Sequence, residues 1–294
     1  MRARSPRSSP SRAAEPVPAF LTFALVAPIA SFGGVAVGER RGGWDRPARS
    51  AVLGLLGACL GVEREDDLGQ IALAADYGLA LLCHAPGRLL ADYHTAQVPP
   101  AARNRRFATR AEDLSSRDLN TVLSRRDYRT GAWHLGALWP RGDAPRWTLE
   151  ELVAAMERPI FTPSLGRKSC PLGLPLAPRI EEAVDAPAAL MRRHREGPEA
   201  ALIDSWSRAG RVGAKERTPT WPEGWIPARF NRPLRDRLAD EPAAMPVIAM
   251  DAAELAEDDA RRIRTETRRD QPRTRRRAWQ FDLRAEAVLR AEAP

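Results

Sequence analysis

Ser50-Ala-Val-Leu-Gly-Leu-Leu-Gly-Ala-Cys-Leu-Gly61 is apolar on every side of a helix, and its reading decides where the core lies. Such a helix has no solvent face and must be buried. Ser50 stands where an N-cap is expected, and Gly61 where a left-handed C-terminal stop is expected. Gly54 and Gly57 each cost about 1 kcal/mol of helix propensity relative to Ala, which makes sense if another backbone approaches closely. Just upstream, Arg46-Pro-Ala-Arg49 sets two guanidiniums beside the free N–H groups of a helix start and the Ser50 hydroxyl, a ready phosphate site. A second stretch, Thr162-Pro-Ser-Leu-Gly-Arg-Lys-Ser-Cys-Pro171, has similar logic. Gly166 permits a tight turn, and Arg167, Lys168 and Ser169 then present donors between bracketing prolines. The bland readings, a packing helix and a basic surface turn, suit the same residues.

Outside these stretches the chain has 294 residues, 44% of them hydrophobic, enough to bury a core in one or two domains. Its formal net charge is +8, and Lys168 and Lys215 are the only lysines. An arginine-dominated basic chain favours a nucleic-acid partner, because guanidinium binds phosphate in a bidentate way and stacks on bases. A GC-rich genome produces the same bias, so the placement of the charge matters more than its total. Cys59, Cys83 and Cys170 are dispersed, without C-x-x-C spacing, and imply neither a zinc site nor a disulfide framework. His84, His94, His134 and His194 are also scattered, so no metal and no cofactor are expected. No apolar run is long enough to span a bilayer, and a reducing, cytoplasmic setting is expected, with no membrane partner.

Residues 1–18 read as a disordered basic leader rich in Arg, Ser and Pro. Phe20 to Ala27 is strand-like, Tyr77 to Cys83 is a second strand, and Pro86-Gly87 is a turn into a third at Arg88 to Tyr93. Pro99 to Tyr128 carries Arg103, Arg105, Arg106, Arg110, Arg117, Arg125 and Arg126 and reads as an arm outside the core. Ala132 to Trp139 returns to strand character, and Thr148-Leu-Glu-Glu151 is a capping box with apolar residues at Leu149, Leu152, Val153 and Met156 behind it. This order approaches the split β-α-β-β-α-β unit of ferredoxin-like folds. Residues 181–200 are rich in Ala, Glu and Arg, residues 204–247 hold Pro, Trp and Arg with little periodicity, and Arg273 to Arg284 reads as a terminal strand. Asp251, Glu254, Glu257, Asp258 and Asp259 read as a solvated helix face.

Ser31-Phe-Gly-Gly34, Arg49-Ser50 leading into Gly54 to Gly61, Asp92-Tyr-His-Thr95, Leu123-Ser-Arg-Arg-Asp-Tyr128 and Phe161 to Leu172 occur in the order seen in one family. On these motifs the chain resembles the CasD family, RAMP-superfamily subunits of the type I-E CRISPR surveillance complex Cascade. The resemblance covers roughly residues 19–178. It implies an α+β fold: a ferredoxin-like (RRM/RAMP) core at 19–178, a protruding Arg-rich thumb hairpin at 96–128, and a smaller, irregular, β-rich C-terminal part at 179–294. The implied function is antiviral: holding the 5′ handle of CRISPR RNA and capping the backbone filament, without catalysis. The backbone subunit CasC and the large subunit CasA are the implied partners, and target DNA is met indirectly. Phe32 and Tyr93 are the implied stacking surfaces; Gly33, Arg46, Arg49, Ser50, His94, Arg103, Arg105, Arg106, Arg125, Arg126, Arg167, Lys168 and Ser169 complete the RNA-binding set.

Two other readings remain at this point. Type I-C relatives cut precursor CRISPR RNA without metal, and His94, Tyr93 and Lys168 are the residues castable as acid and base. His84 and His134, in or beside expected strands, read instead as packed core histidines. A general binder of single-stranded RNA would show no preference for CRISPR RNA.

Overall fold

The computed structural model describes residues 17–34, 36, 38–100, 107–115, 118–199, 246–272 and 280–291. The chain forms a mixed α/β fold around one large, mostly antiparallel sheet. Its strands are β1 (Ala19–Ala30), β2 (Arg40–Arg41), β3 (Tyr77–Ala85), β4 (Arg88–Val98), β5 (Asn120–Pro140), β6 (Arg179–Glu182), β7 (Val247–Asp251), β8 (Arg262–Pro272) and β9 (Phe281–Arg290). Their order is β6-β1-β5-β3-β7-β9-β8, with β2 and β4 joined to β5. Helices α1 (Arg49–Leu60), α2 (Asp67–Ala75) and α4 (Leu149–Glu157) pack on one face and α5 (Ala186–Glu196) on the other; α3 (Arg110–Asp113) is a single exposed turn. Both faces of the central strands are covered, so β3 is buried from Tyr77 to His84 and reads as a continuous apolar run.

Helix α1 is where the expectation was strongest. Leu53, Leu55, Leu56 and Cys59 are buried, and Gly61 ends the helix at φ 74°. The glycines inside it behave otherwise than expected. A Cβ on Gly57 would stand at ordinary contact distance from the Leu73 side chain, and Gly54 has nothing within 4 Å of where a Cβ would stand. No backbone approaches Gly54; it faces open space. The Thr148 capping box forms as read, with Thr148 and Glu151 exchanging side-chain to backbone bonds at 3.2 and 2.8 Å.

The expected hairpin of β3 and β4 is not present. Both strands pair with β5, β3 from Tyr77↔Pro140 to Ala85↔Trp133 and β4 from Arg88↔Thr130 to Val98↔Asn120. Pro86-Gly87 re-aims the chain without reversing it, and Gly87 holds φ 77° where a Cβ would come within 2.7 Å of the Thr130 carbonyl oxygen. The result is a two-stranded ribbon, β4 with the first half of β5, that leaves the sheet and is exposed along most of β4. Of the expected arm, 96–98 and 120–128 are strand among the described residues, and the ribbon itself begins at Arg88.

Beyond residue 178 the same sheet continues. β6 pairs with β1, β7 with β3, and β9 with β7 and β8, while Pro18 already accepts a bond from Ala183 N–H at 3.1 Å. Residues 200–245 and 273–279, which include most of the expected terminal strand, lie outside the described residues, as do residues 1–16. The acidic cluster is not a helix face. Asp251 closes β7, Ala252–Glu254 is a short 3-10 turn, and Arg141 pairs with both Asp251 (3.6 Å) and Glu254 (2.5 Å). No helix among the described residues is long and apolar enough to cross a membrane.

Three histidines lie in the core region. His134 is fully buried against Phe32, and His84 Nδ1 is 2.9 Å from His194 Nε2. Burial, then the charges of Arg46, His84 and Arg129, push the His134 pKa down to about 3. Burial, then His194, takes His84 to about 4. In the unfolded chain both titrate near 6.5, so their stabilising effect is complete above that pH and is lost as pH falls toward the folded values. Stability to urea is expected to fall as pH drops below ~6.5, with a slope for each histidine that approaches about 1.4 kcal/mol per pH unit near pH ~5. His134→Leu flattens that slope by one histidine's share; an unchanged slope would contradict the assignment.

Candidate nucleic-acid interface

The loops that carry the two quoted motifs close on each other at one end of α1. Ser31 N–H donates to Leu165 O at 3.1 Å, Trp44 N–H to Phe32 O at 2.8 Å, and Gly33 bridges to Gly43. The turn is tied internally by Leu165 N–H to Cys170 O at 2.9 Å and Cys170 N–H to Arg167 O at 2.8 Å. Gly166 holds φ 96°, and a Cβ there would collide with the Ser31 carbonyl oxygen, so glycine is required twice over. Between these loops lies a cleft of about 930 Å³. Its walls are Ser31–Gly34, the Ser50-Ala51-Gly54 side of α1, Thr162, Ser164 and Gly166 to Lys168, Thr267–Asp270 of β8, and Phe281 and Leu283 of β9. The open space at Gly54 belongs to this cleft.

The helix start is not a free phosphate site. Ala48, not Ser50, is the N-cap, without a side-chain cap of its own, and Asp270 Oδ2 accepts from Arg49 N–H at 2.8 Å. A carboxylate from a strand far along the chain already complements the helix dipole. Burial alone would raise the Asp270 carboxyl, but bonds from Arg284 at 3.1 and 3.0 Å, with that N–H, outweigh it and hold it below its ordinary value. Arg46 is buried to 1% exposure and is held by Glu286 and Glu266; Arg284 and Arg268 complete the network against the same carboxylates. Arg49 is also buried, donates to Ala74 O and Tyr77 O, and is lowered to about 10 by burial and the nearby Arg141 and Arg284. Neither guanidinium is available to RNA, which corrects the expectation for both. Phe32 is corrected likewise: it is buried at 1% exposure, edge-on to His134.

The remaining described residues of the expected set are at least partly exposed or line the cleft. Ser50 and Gly33 line the cleft, Arg167 and Lys168 stand at its rim, and Ser169 is exposed beside them. Arg167 lies 4.8 Å over the Tyr128 ring, which ties the turn to the base of the ribbon, and its Nη1 is buried without a partner. On the ribbon, Tyr93 is 62% exposed and stands opposite Arg125, which bonds Asp127 at 3.2 Å. Asp92 stands opposite Arg126, whose Nε is buried and unpartnered. β2 runs beside β5 so that Arg40 and Arg41 register with Arg125 and Arg126. Arg40 therefore lies beside Arg125 and Arg41 beside Arg126, one pair on each face of the strands; the β2 pair stands in a glycine-rich loop where no local pattern marks a strand. His94 is exposed and bonds Asp92 at 2.5 Å. Tyr93 and His94 do not line the cleft that contains Lys168. Arg103, Arg105 and Arg106 lie outside the described residues. Trp44, Arg269 and Phe281 line the cleft and were not anticipated. Among the described residues no group of three or more His, Cys, Asp or Glu could hold a metal ion.

The family model described as CRISPR-associated protein (Cas_Cas5) matches residues 20–282. The chain belongs to the Cas5 family. The CRISPR system Cascade subunit CasD of Escherichia coli (strain K12) is 31% identical over 180 residues, 58% of this chain and 75% of that protein. A chain in a solved CRISPR RNA-guided surveillance complex is 19% identical with a TM-score of 0.49, covering 94% of this chain and 91% of its own. A crystal structure of a Cas protein is 21% identical with a TM-score of 0.45, covering 92% and 95%. Membership of this family accords with the resemblance read from the motifs, whose segments 31–34 and 161–172 meet at the cleft.

Gly166→Ala is expected to cost about 2 kcal/mol or more, from the positive φ and from overlap with Ser31. Chemical denaturation checks this; a cost below about 0.5 kcal/mol would mean that the turn does not dock on Ser31.

Proposed function

We propose that the chain is the subunit of a type I-E Cascade complex that binds the 5′ handle of CRISPR RNA and caps the backbone filament, without catalysis. The observation that carries this reading is the meeting in one cleft of both motif loops and the C-terminal strands, with Arg167 and Lys168 on the rim. RNA held as a single strand needs dispersed cations for phosphate and concave surfaces for splayed bases, and the cleft offers both. The relative's printed name, a Cascade subunit, supports assembly. The order β6-β1-β5-β3 agrees with the split unit of a ferredoxin-like core, and the arginine-lined ribbon suits the thumb that reaches over RNA toward CasC. CasA at the same end and target DNA met through the assembled complex complete the partners.

The nuclease reading has less support. A metal-independent cut needs its acid and base at one 2′-hydroxyl. His94 and Tyr93 stand on the ribbon while Lys168 stands at the cleft, and His84 and His134 are buried in their neutral forms.

The test is co-expression of the tagged chain with the neighbouring cas genes and a CRISPR array, followed by sequencing of the retained RNA. Uniform guide RNAs in a multi-subunit complex are expected. Arg167→Gln with Lys168→Gln is expected to lower the slope of log affinity against log salt by about 1.4, at ~0.7 for each phosphate contact on single-stranded RNA. Recovery of the chain alone with cut repeat fragments, lost on His94→Ala, would overturn the reading.

A further inference from the structure

Trp44 is 37% exposed in the cleft wall, a large ring left partly open to solvent. Its backbone is fixed at both ends. Trp44 N–H donates to Phe32 O at 2.8 Å, and Trp44 O accepts from Arg129 Nε at 3.0 Å. One face of the ring is taken by the Arg268 guanidinium, 4.5 Å from the ring centroid. Arg268 is itself buried to 1% exposure and held by Glu286 at 3.3 Å and the Pro47 carbonyl at 3.5 Å. The cation therefore backs one face of the ring, and the indole lines the cleft. Beside the indole stands Gly34, where a Cβ would come within 3.3 Å of Nε1, so glycine keeps that edge clear.

We propose that Trp44 is the platform on which one unpaired nucleobase of the bound RNA stacks. The inference rests on the RNA-handle reading and gives its cleft a base-binding site. A fixed aromatic face beside Arg167 and Lys168 on the rim supplies the two elements that hold single-stranded RNA, stacking for the base and charge for the phosphates. Trp44 takes the role expected of Phe32, which is enclosed in the core. Stacking accepts any of the four bases, so the site selects a position along the strand and not a base identity.

The experiment titrates the purified full chain with a set of repeat-derived RNAs, each lacking the base at one position, using wild type, Trp44→Phe, Trp44→Leu and Trp44→Ala. Trp44→Ala and Trp44→Leu are expected to weaken binding of the intact RNA by about tenfold, and Trp44→Phe to retain most of the affinity. At one abasic position all four proteins bind alike, because the base that uses the ring is gone. Leucine matching phenylalanine would assign Trp44 to packing and overturn the proposal, and so would a Trp44→Ala effect that is equal at every abasic position. Absence of RNA binding by the wild type would instead fail the handle reading itself, and the proposal with it.

Discussion

The Asp270 carboxylate, buried between β8 and the start of α1, is the contact on which the rest of the arrangement depends. One oxygen accepts the Arg49 N–H that no local side chain caps, and the pair of oxygens receives two bonds from Arg284. Arg284 also bonds Glu286, and Glu286 bonds Arg46 and Arg268, so three arginines and the carboxylates of Asp270, Glu286 and Glu266 form one enclosed network. Charges this deep are tolerable only when nearly every one is paired, because removing a single partner leaves an uncompensated ion away from water. The network thus converts many weak preferences into a joint condition: β8 and β9 must dock where the loop before α1 presents Arg46.

That condition builds the cleft. One wall comes from the first motif loop and α1, a second from the Gly166 turn, and the third from β8 and β9, which the network holds in place. Arg268 serves both roles, as a member of the network and as the support under Trp44. The arginines that look most like ligands for phosphate in the sequence, Arg46 and Arg49, hold the architecture together. Arg167 and the ribbon's Arg125 and Arg126 stay outside that network and are partly exposed.

What was legible in the sequence follows from the range of the interactions. Gly61, the Thr148 capping box, β1, β3 and the inner half of β5 are local signals, a left-handed stop, a reciprocal cap and apolar runs, and each formed where expected. The N-cap of α1 was misread because a local rule favours Ser50, and the residue that satisfies the helix lies 221 positions away. Helix α2 is only nine residues long with Gly69 inside it, and α5 carries a basic last turn, so neither offers a long apolar stripe. The first half of β5 is half-exposed or exposed apart from Asp127, and lacks the alternation that marks a strand lying on a core. Trp44 stands in a Gly/Arg loop, and nothing local shows that Arg268 will lie against it. For the site, motif order located two of the three walls; the third came from strands whose pairing is visible only in the folded chain.

The most direct measurement is urea unfolding of Asp270→Ala beside the wild type near pH 7. Loss of the cap acceptor together with an unpaired buried Arg284 is expected to cost about 3–5 kcal/mol, with α1 and β9 lost in one cooperative transition. A cost below about 1 kcal/mol, the range of an exposed ion pair, would contradict the account.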